Sequence, residues 1–84
     1  MDDPKILIRR VKSARSANNA LDMAVEMAAF RPDEKYASVR ANHAGTKLIY
    51  TTLEGKEETC WAFDWTLNDK NRRAAVAMLE ETHA

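Results

Sequence analysis

Aromatic residues are concentrated at one place in this chain. Trp61, Phe63 and Trp65 are three of its six aromatic side chains, and they alternate with smaller residues. Because successive side chains of a β-strand point to opposite faces, the three would share one face, with Cys60, Ala62 and Asp64 on the other. The alternation predicts a strand over Thr59–Trp65 whose aromatic face forms the core. The alternative is an exposed face on which bases or a partner's side chains stack.

The composition predicts one small folded domain over residues 1–84. Hydrophobic residues make up 45% of the chain, which is enough for a core, and the 13 basic and 13 acidic residues balance. A dedicated nucleic-acid-binding protein usually carries net positive charge. Cys60 is the sole cysteine, so no internal disulfide can form. Without a signal peptide or an apolar run of about 20 residues, we expect a soluble cytoplasmic protein that does not cross a membrane.

The first third of the chain has helical periodicity. Asp3 and Pro4 are favoured at a helix start and Arg31-Pro32 ends the pattern, so we expect a long helix over residues 4–30. Its apolar stripe consists of Ile6, Leu7, Val11, Ala14, Ala17, Leu21, Ala24, Val25 and Ala28.

Length leaves alternatives open for this segment. A helix over residues 4–30 would be about 40 Å long, whereas a strand of seven or eight residues spans about 25 Å. Either the helix breaks near the polar stretch Ser13–Asn19, or another surface covers the excess length. The sequence also allows a strand over Lys5–Lys12 followed by a helix from Ser16. Heptad-like spacing further suggests a homodimer through residues 7–28.

Strand and turn signals dominate the middle of the chain. The predicted strands are Tyr36–Asn42, Lys47–Leu53 and Thr59–Trp65. The turns between them are short, which favours an antiparallel meander. A last helix is expected over residues 67–82, capped by Thr66 or Asn68. The fold class is therefore α+β, of order α-β-β-β-α, with the N-terminal and C-terminal helices packed on one face of the sheet.

Basic residues form two clusters. The first contains Lys5, Arg9, Arg10, Lys12 and Arg15. The second, Lys70, Arg72 and Arg73, lies at the start of the last helix, where the helix dipole disfavours positive charge. Basic residues at such an unfavourable position can indicate that a function requires them there. Phosphate binding at the helix N-terminus is one candidate function. The alternative is an ordinary solvated face.

The element order and the basic start of an alanine-rich last helix resemble a double-stranded RNA-binding domain. The similar segments are Lys70–Leu79 and the turn that contains His43. The resemblance implies that the helix start contacts phosphates and that the turn enters the minor groove. The chain departs from the family at the turn, which reads Asn-His-Ala-Gly instead of glycine-proline-x-histidine, and it lacks the family's paired lysines. DNA-binding modules of phage integrases share the sheet-then-helix order.

No arrangement of residues in the sequence indicates catalysis or metal binding. His43 and His83 are isolated, Cys60 is expected to be a packed thiol, and no three or four ligands are spaced for a metal. We therefore expect no enzymatic activity, cofactor or metal. The favoured function is a protein-interaction module, an adaptor or inhibitor of a larger protein, such as an accessory factor of a phage or mobile element. The alternative is a nucleic-acid-binding module, which requires both basic clusters to lie on one surface.

The residues expected to bind a partner come from the helices and the aromatic stretch. Met23, Met27 and Phe30 form a second, weaker apolar patch on the first helix, and Trp65 adjoins the last helix. The charged candidates are Arg9, Lys12, Lys70, Arg72 and Arg73.

Overall fold

The computed structural model describes residues 3–83, which form three helices and one three-stranded sheet. In chain order the elements are α1 (Pro4–Ser13), α2 (Asn19–Ala29), β1 (Tyr36–Ala41), β2 (Leu48–Thr52), β3 (Glu57–Cys60) and α3 (Asp69–Thr82). The sheet is an antiparallel meander of order β1-β2-β3. The predicted α+β class, the meander and the C-terminal helix are confirmed.

The helical segment in the first third of the chain is divided into two helices. α1 ends at Ser13, and α2 begins at Asn19 after a polar link. Asn18 caps α2, because its side chain accepts a hydrogen bond from the backbone N–H of Leu21 at 3.0 Å. The break expected near Ser13–Asn19 is confirmed, a continuous helix over 4–30 is not observed, and the strand over Lys5–Lys12 is wrong.

Much of the predicted apolar stripe is buried in a helical core, although Ile6 and Ala17 of that stripe are exposed. The buried residues of this core are Leu7, Val11, Leu21, Val25, Ala75, Val76 and Leu79. They join α1 and α2 to α3, so the residues whose spacing suggested a coiled coil pack inside a single chain. The homodimer through residues 7–28 stays a prediction, but Leu7, Val11, Leu21 and Val25, the large apolar residues of that spacing, are buried within the chain.

A second, smaller core lies between α2 and the sheet. Met23, Leu48 and Ala62 are its buried residues. α2 is the helix in main contact with the sheet, while α1 and α3 pack on each other and on α2. Because α2 lies between the other helices and the sheet, it needs apolar residues on two sides. Met23 is consequently 3% exposed, and its predicted place in a partner-binding surface patch is wrong.

Two of the three side chains of the aromatic stretch face outward instead of into the core. β3 ends at Cys60, so the strand does not continue to Trp65. Cys60 pairs with the buried Leu48, and Ala62 is also buried. Cys60 itself is exposed at the end of the strand, so the expected packed thiol is wrong. Trp61 and Phe63 are 63% and 54% exposed, so their predicted core position is wrong. Trp65 is half-buried against the helical core.

Two carboxylates of α2 determine this orientation by holding the segment after β3. Oε1 of Glu26 accepts the backbone N–H of Phe63 at 2.7 Å. Oδ1 of Asp22 accepts the backbone N–H and the hydroxyl of Thr66 at 2.8 and 2.9 Å. The two acids are four residues apart and share one face of α2. After β3 the chain therefore leaves the sheet and passes close to α2. The small side chain of Ala62 packs in the buried cluster that contains Met23 of this helix.

Candidate functional site

The first candidate site, called the aromatic groove below, is a depression of about 570 Å³ beside α2 and β3. Its lining residues are Glu26, Tyr36, Tyr50, Glu58, Cys60, Trp61 and Phe63. Four of these seven side chains are aromatic, two are acidic and none is basic. Such a lining combines apolar contact area with a small number of fixed polar groups, as in many ligand sites.

A bulge in β1 brings Tyr36 into the aromatic groove. Ser38 pairs with Thr51 and Tyr36 with Thr52, so two steps along β1 match one step along β2. This irregularity moves Tyr36 to the face of the sheet that carries Tyr50. The two rings lie 5.2 Å apart between centroids and are tilted by 50°. On its other side, Tyr50 packs against Phe30 at 6.1 Å.

Hydrogen bonds fix both carboxylates of the aromatic groove. The hydroxyl of Tyr50 donates to Oε2 of Glu26 at 2.6 Å, and the hydroxyl of Tyr36 donates to Oε1 of Glu58 at 2.6 Å. Glu26 also accepts the backbone N–H of Phe63. All three donors are neutral, so these bonds orient the carboxylates without cancelling their charge. Since an ionised carboxylate has about four acceptor positions, each keeps capacity for a further donor.

The charge of these carboxylates affects neighbouring proton-bearing groups. Burial raises the pKa of Tyr50, and the hydrogen bond to Glu26 and its negative charge raise the pKa further. Burial also raises the pKa of the Cys60 thiol, with added effects from the charges of Glu26 and Glu58. Loss of a proton is disfavoured at both groups, mainly because they are partly buried and to a lesser degree because of the neighbouring carboxylate charges.

Two lysines contact the aromatic rings at the rim of the groove. The ammonium of Lys47 lies 4.8 Å from the ring centroid of Trp61, and that of Lys35 lies 4.9 Å from the ring of Tyr36. A hydrogen bond with Tyr36 raises the pKa of Lys35, and the charge of Glu58 contributes to the increase. Neither lysine lines the groove. The rings therefore already make cation–π contacts within the chain.

The second candidate site, called the basic cleft below, is a depression of about 340 Å³ between α1 and α3. Its lining residues are Lys12, Asp69, Arg72, Arg73, Val76, Ala77 and Glu80. Lys12 from the first basic cluster thus lies beside two arginines of the second. The predicted Arg9 lines a neighbouring depression of about 370 Å³ with Arg10 and Arg15. Lys70 is exposed on α3 but does not line the cleft.

Much of the charge in the basic cleft is compensated inside the protein. The guanidinium of Arg72 donates to the carbonyl oxygen of Thr66 at 2.9 Å and forms an ion pair with Asp69. The hydrogen bond from Arg72 lowers the pKa of Asp69. The Arg72 side chain is 15% exposed, so it acts as a structural residue at the start of α3. Glu80 adds a second acid to the lining.

The remaining predicted residues lie near the aromatic groove or the helical core. Met27 is 37% exposed on α2, and Phe30 is half-buried against Tyr50. The ring of Trp65 packs on Phe63 at 4.7 Å. The indole N–H of Trp65 is buried, with no hydrogen-bond partner among residues 3–83.

None of the seven lining residues of the aromatic groove is among the predicted partner-binding residues; the sequence left open only, as an alternative, an exposed aromatic face with Trp61 and Phe63. A usable signal was present on α2. Asp22 and Glu26 are the acids of an otherwise apolar helix, and a spacing of four puts them on one face. Acids at such positions indicate that the face contacts polar groups of another segment.

Comparisons of the chain with models of protein families, with curated proteins and with solved structures find no significant match. The resemblance to double-stranded RNA-binding domains therefore rests on element order. Within the described residues, no helix has the length and apolar character needed to cross a membrane. In the same part of the chain, no group of three or more histidine, cysteine or acidic side chains is placed to hold a metal ion.

Proposed function

We propose that this protein is a non-enzymatic interaction module, an adaptor or inhibitor, that binds a larger protein at the aromatic groove. The observation that supports the proposal is the exposure of Trp61 and Phe63, at 63% and 54%. Large aromatic side chains are enriched among the residues that dominate binding energy at protein interfaces. Two of them beside a concave surface form the kind of exposed patch that marks an interaction site.

The positions of these aromatic residues are fixed before a partner arrives. The backbone of Phe63 is held by Glu26, and its ring packs on Trp65. The ring of Trp61 contacts the ammonium of Lys47. Because fewer side-chain conformations are lost on binding, a pre-ordered surface of this kind binds more tightly than a mobile one.

The proposal is tested by capture from a lysate of the source cells with a matched pair of variants. Trp61→Ser/Phe63→Ser removes the exposed rings. Leu53→Ser/Leu67→Ser removes two comparably exposed apolar side chains (57% and 54%) that do not line the groove. A captured protein is then purified, and its affinity is measured by isothermal titration calorimetry.

We expect the partner to bind wild type and the leucine variant equally. Loss of either exposed ring should weaken binding by about 30-fold or more, as for other interface hot spots, so Trp61→Ser/Phe63→Ser should weaken it by at least that factor. A partner that binds both double variants with wild-type affinity would contradict the proposed docking surface.

Nucleic-acid binding at the basic cleft is the second candidate, supported by the placement of Lys12 beside Arg73. The test is binding of labelled double-stranded RNA and DNA at about 50 and 200 mM salt, where six or more phosphate contacts change affinity by about 1,000-fold. Lys12→Glu/Arg73→Glu is the informative variant, since it spares the structural Arg72. Absence of binding at the lower salt concentration removes this candidate.

A further inference from the structure

We infer that the aromatic groove binds a positively charged side chain, a lysine ammonium or an arginine guanidinium presented by the partner protein. This inference rests on the proposed function and adds the chemistry of the partner to it. Three properties of the groove support it: the charge of its lining, the hydrogen bonds that orient its two carboxylates, and the arrangement of its rings.

The lining has negative charge and no positive charge of its own. Glu26 and Glu58 are acidic, and no lysine, arginine or histidine lines the groove. Lys35 is close enough to Glu58 for their charges to interact, but its ammonium lies over Tyr36, outside the lining. A cation entering the groove would therefore meet attraction from two carboxylates, opposed at the rim by the charges of Lys35 and Lys47.

The carboxylates are oriented in advance for a charged donor. Tyr50 and Tyr36 each hold one carboxylate by a hydroxyl hydrogen bond of 2.6 Å. Since these donors are neutral, an ammonium or guanidinium supplies what the groove lacks, namely a charged N–H group. Charge-assisted hydrogen bonds of this kind are shorter and stronger than neutral ones.

The aromatic rings complement the same chemistry. The faces of aromatic rings carry partial negative charge and attract ammonium and guanidinium groups within about 6 Å. Trp61 and Tyr36 already contact lysine ammoniums at 4.8 and 4.9 Å, so these two rings accept cations in this fold. A partner's cation would compete with Lys35 and Lys47 for these ring faces, while Glu26 and Glu58 supply the carboxylate contacts.

The exposed area indicates a protein rather than a small free amine as the source of the cation. Trp61 and Phe63 are both more than half exposed beside the groove. A small amine inside the groove would leave much of these rings in water. A protein segment that inserts one basic side chain can cover both rings with its neighbouring residues.

Cys60 allows the charge preference of the groove to be measured on the native chain. It lines the groove and is the protein's single thiol. The probes are trimethylammonium-ethyl and sulfonatoethyl methanethiosulfonate, which differ in charge and form the same type of disulfide while releasing methanesulfinate. Each rate is divided by the rate of the same reagent with N-acetylcysteine amide, so that intrinsic reactivity cancels.

We expect the normalised rate to be about 10-fold higher for the cationic reagent than for the anionic one. Glu26→Gln/Glu58→Gln should reduce the ratio to about one. Glu80→Gln/Glu81→Gln changes net charge equally on α3, away from the groove, and should leave the ratio unchanged.

Glu58→Gln alone keeps the hydrogen bonds of Glu26 and should lower the ratio of the two normalised rates about threefold. Equal normalised rates in wild type, or an equal decrease in the α3 variant, overturn the inference.

A peptide pair tests the identity of the cation. The probes are the acetylated, amidated pentapeptides Gly-Thr-Arg-Thr-Gly and its citrulline analogue, which has nearly the same shape without the charge. Nuclear magnetic resonance of the Trp61 indole and the Phe63 amide reports binding. We expect the arginine peptide to bind about tenfold more tightly than the citrulline peptide, and this difference to vanish in Glu26→Gln/Glu58→Gln.

The results separate this inference from the proposed function. If a partner depends on Trp61 and Phe63 while the thiol rates show no charge preference, the proposed function stands and the cation site is wrong. If the rates show the preference but replacing each basic residue of the partner's contact segment by glutamine leaves affinity unchanged, the partner-cation inference is overturned. Spermidine, a free polyamine, is titrated in the same resonance experiment as the peptides. If it binds and no partner depends on the two aromatic residues, the proposed function and the partner-cation inference both fail.

Discussion

The aromatic groove and the basic cleft belong to the same small domain, but they differ in how their charges are balanced. In the cleft, three basic residues share the lining with two acidic ones, and Arg72 is paired with Asp69. In the groove, two acidic residues accept hydrogen bonds from neutral donors, and no basic residue joins them. A formal charge of zero for the whole chain therefore conceals a groove lining with two acidic residues and no basic one, although Lys35 and Lys47 contact two of its rings from the rim.

This difference distinguishes a structural use of charge from a use in binding. The Arg72 guanidinium satisfies a backbone carbonyl and an acid, so most of its donors serve the fold. Glu26 also serves the fold, through Phe63 and Tyr50, but it does so without losing its charge. The number of charged residues favours the cleft as a binding site. The hydrogen-bond partners of those residues favour the groove, because Arg72 is paired with an acid whereas Glu26 is bonded only to neutral donors.

Removal of the Asp22 carboxylate should have the largest effect on stability, because the groove depends on the segment that this residue holds. Asp22 and Thr66 are 2% and 0% exposed, and one oxygen accepts two hydrogen bonds. Asp22→Ala leaves buried donors without a partner, and we expect a loss of about 3 kcal/mol in the free energy of unfolding, measured by urea denaturation.

Asp22→Asn is the matched control for this measurement. Its amide oxygen can accept both hydrogen bonds, so the expected loss is about 1 kcal/mol. If the alanine and asparagine variants are equally stable, the hydrogen bonds to Thr66 do not hold the segment.

A smaller loss of stability is expected at the cleft, where Arg72 and Arg73 can be compared directly. Arg72→Lys removes the fork geometry that reaches both Thr66 and Asp69, and should lower the free energy of unfolding by about 1 kcal/mol. Arg73→Lys, at an exposed position, should change it by less than about 0.5 kcal/mol. Thermal denaturation of both variants measures the difference. Equal stability of the two would show that Arg72 is not engaged as described.

The smallest effect concerns the titration of Cys60 in the groove. A thiol with a raised pKa holds its proton to higher pH, so the rate of alkylation by iodoacetamide should reach half its maximum above about pH 8.5. Tyr36, Tyr50, Glu26 and Glu58 are the titratable groups that line the groove with this thiol. Glu58→Gln should lower the midpoint by a few tenths of a pH unit, because one negative charge is lost. A midpoint below that of N-acetylcysteine amide would contradict a negative groove.

The sequence was a good guide to local structure. The turns between strands were predicted from their short polar composition, and Gly45 and Gly55 in them have φ of 71° and 89°. This left-handed region favours glycine. Asn68, one of the two predicted caps, begins α3 by accepting the backbone N–H of Asn71.

The orientation of the aromatic stretch could not be predicted in the same way. Alternation identifies which residues share a face, but it does not determine which face is inward. That choice is made by contacts distant in sequence, through Asp22 and Glu26 to the segment after β3. The bulge that turns Tyr36 into the groove also comes from pairing with β2 and leaves no local signal.

The most direct test of this account measures the electrostatic potential at both surfaces in one experiment. Paramagnetic relaxation of backbone amide protons is recorded with a cationic and an anionic nitroxide of similar size. We predict that the cationic probe relaxes the amides of Trp61 and Phe63 more strongly. Near Arg73 and Ala77 the preference should reverse and be smaller in magnitude. Equal relaxation by both probes at Trp61 and Phe63, or a larger preference at the cleft, would contradict the account.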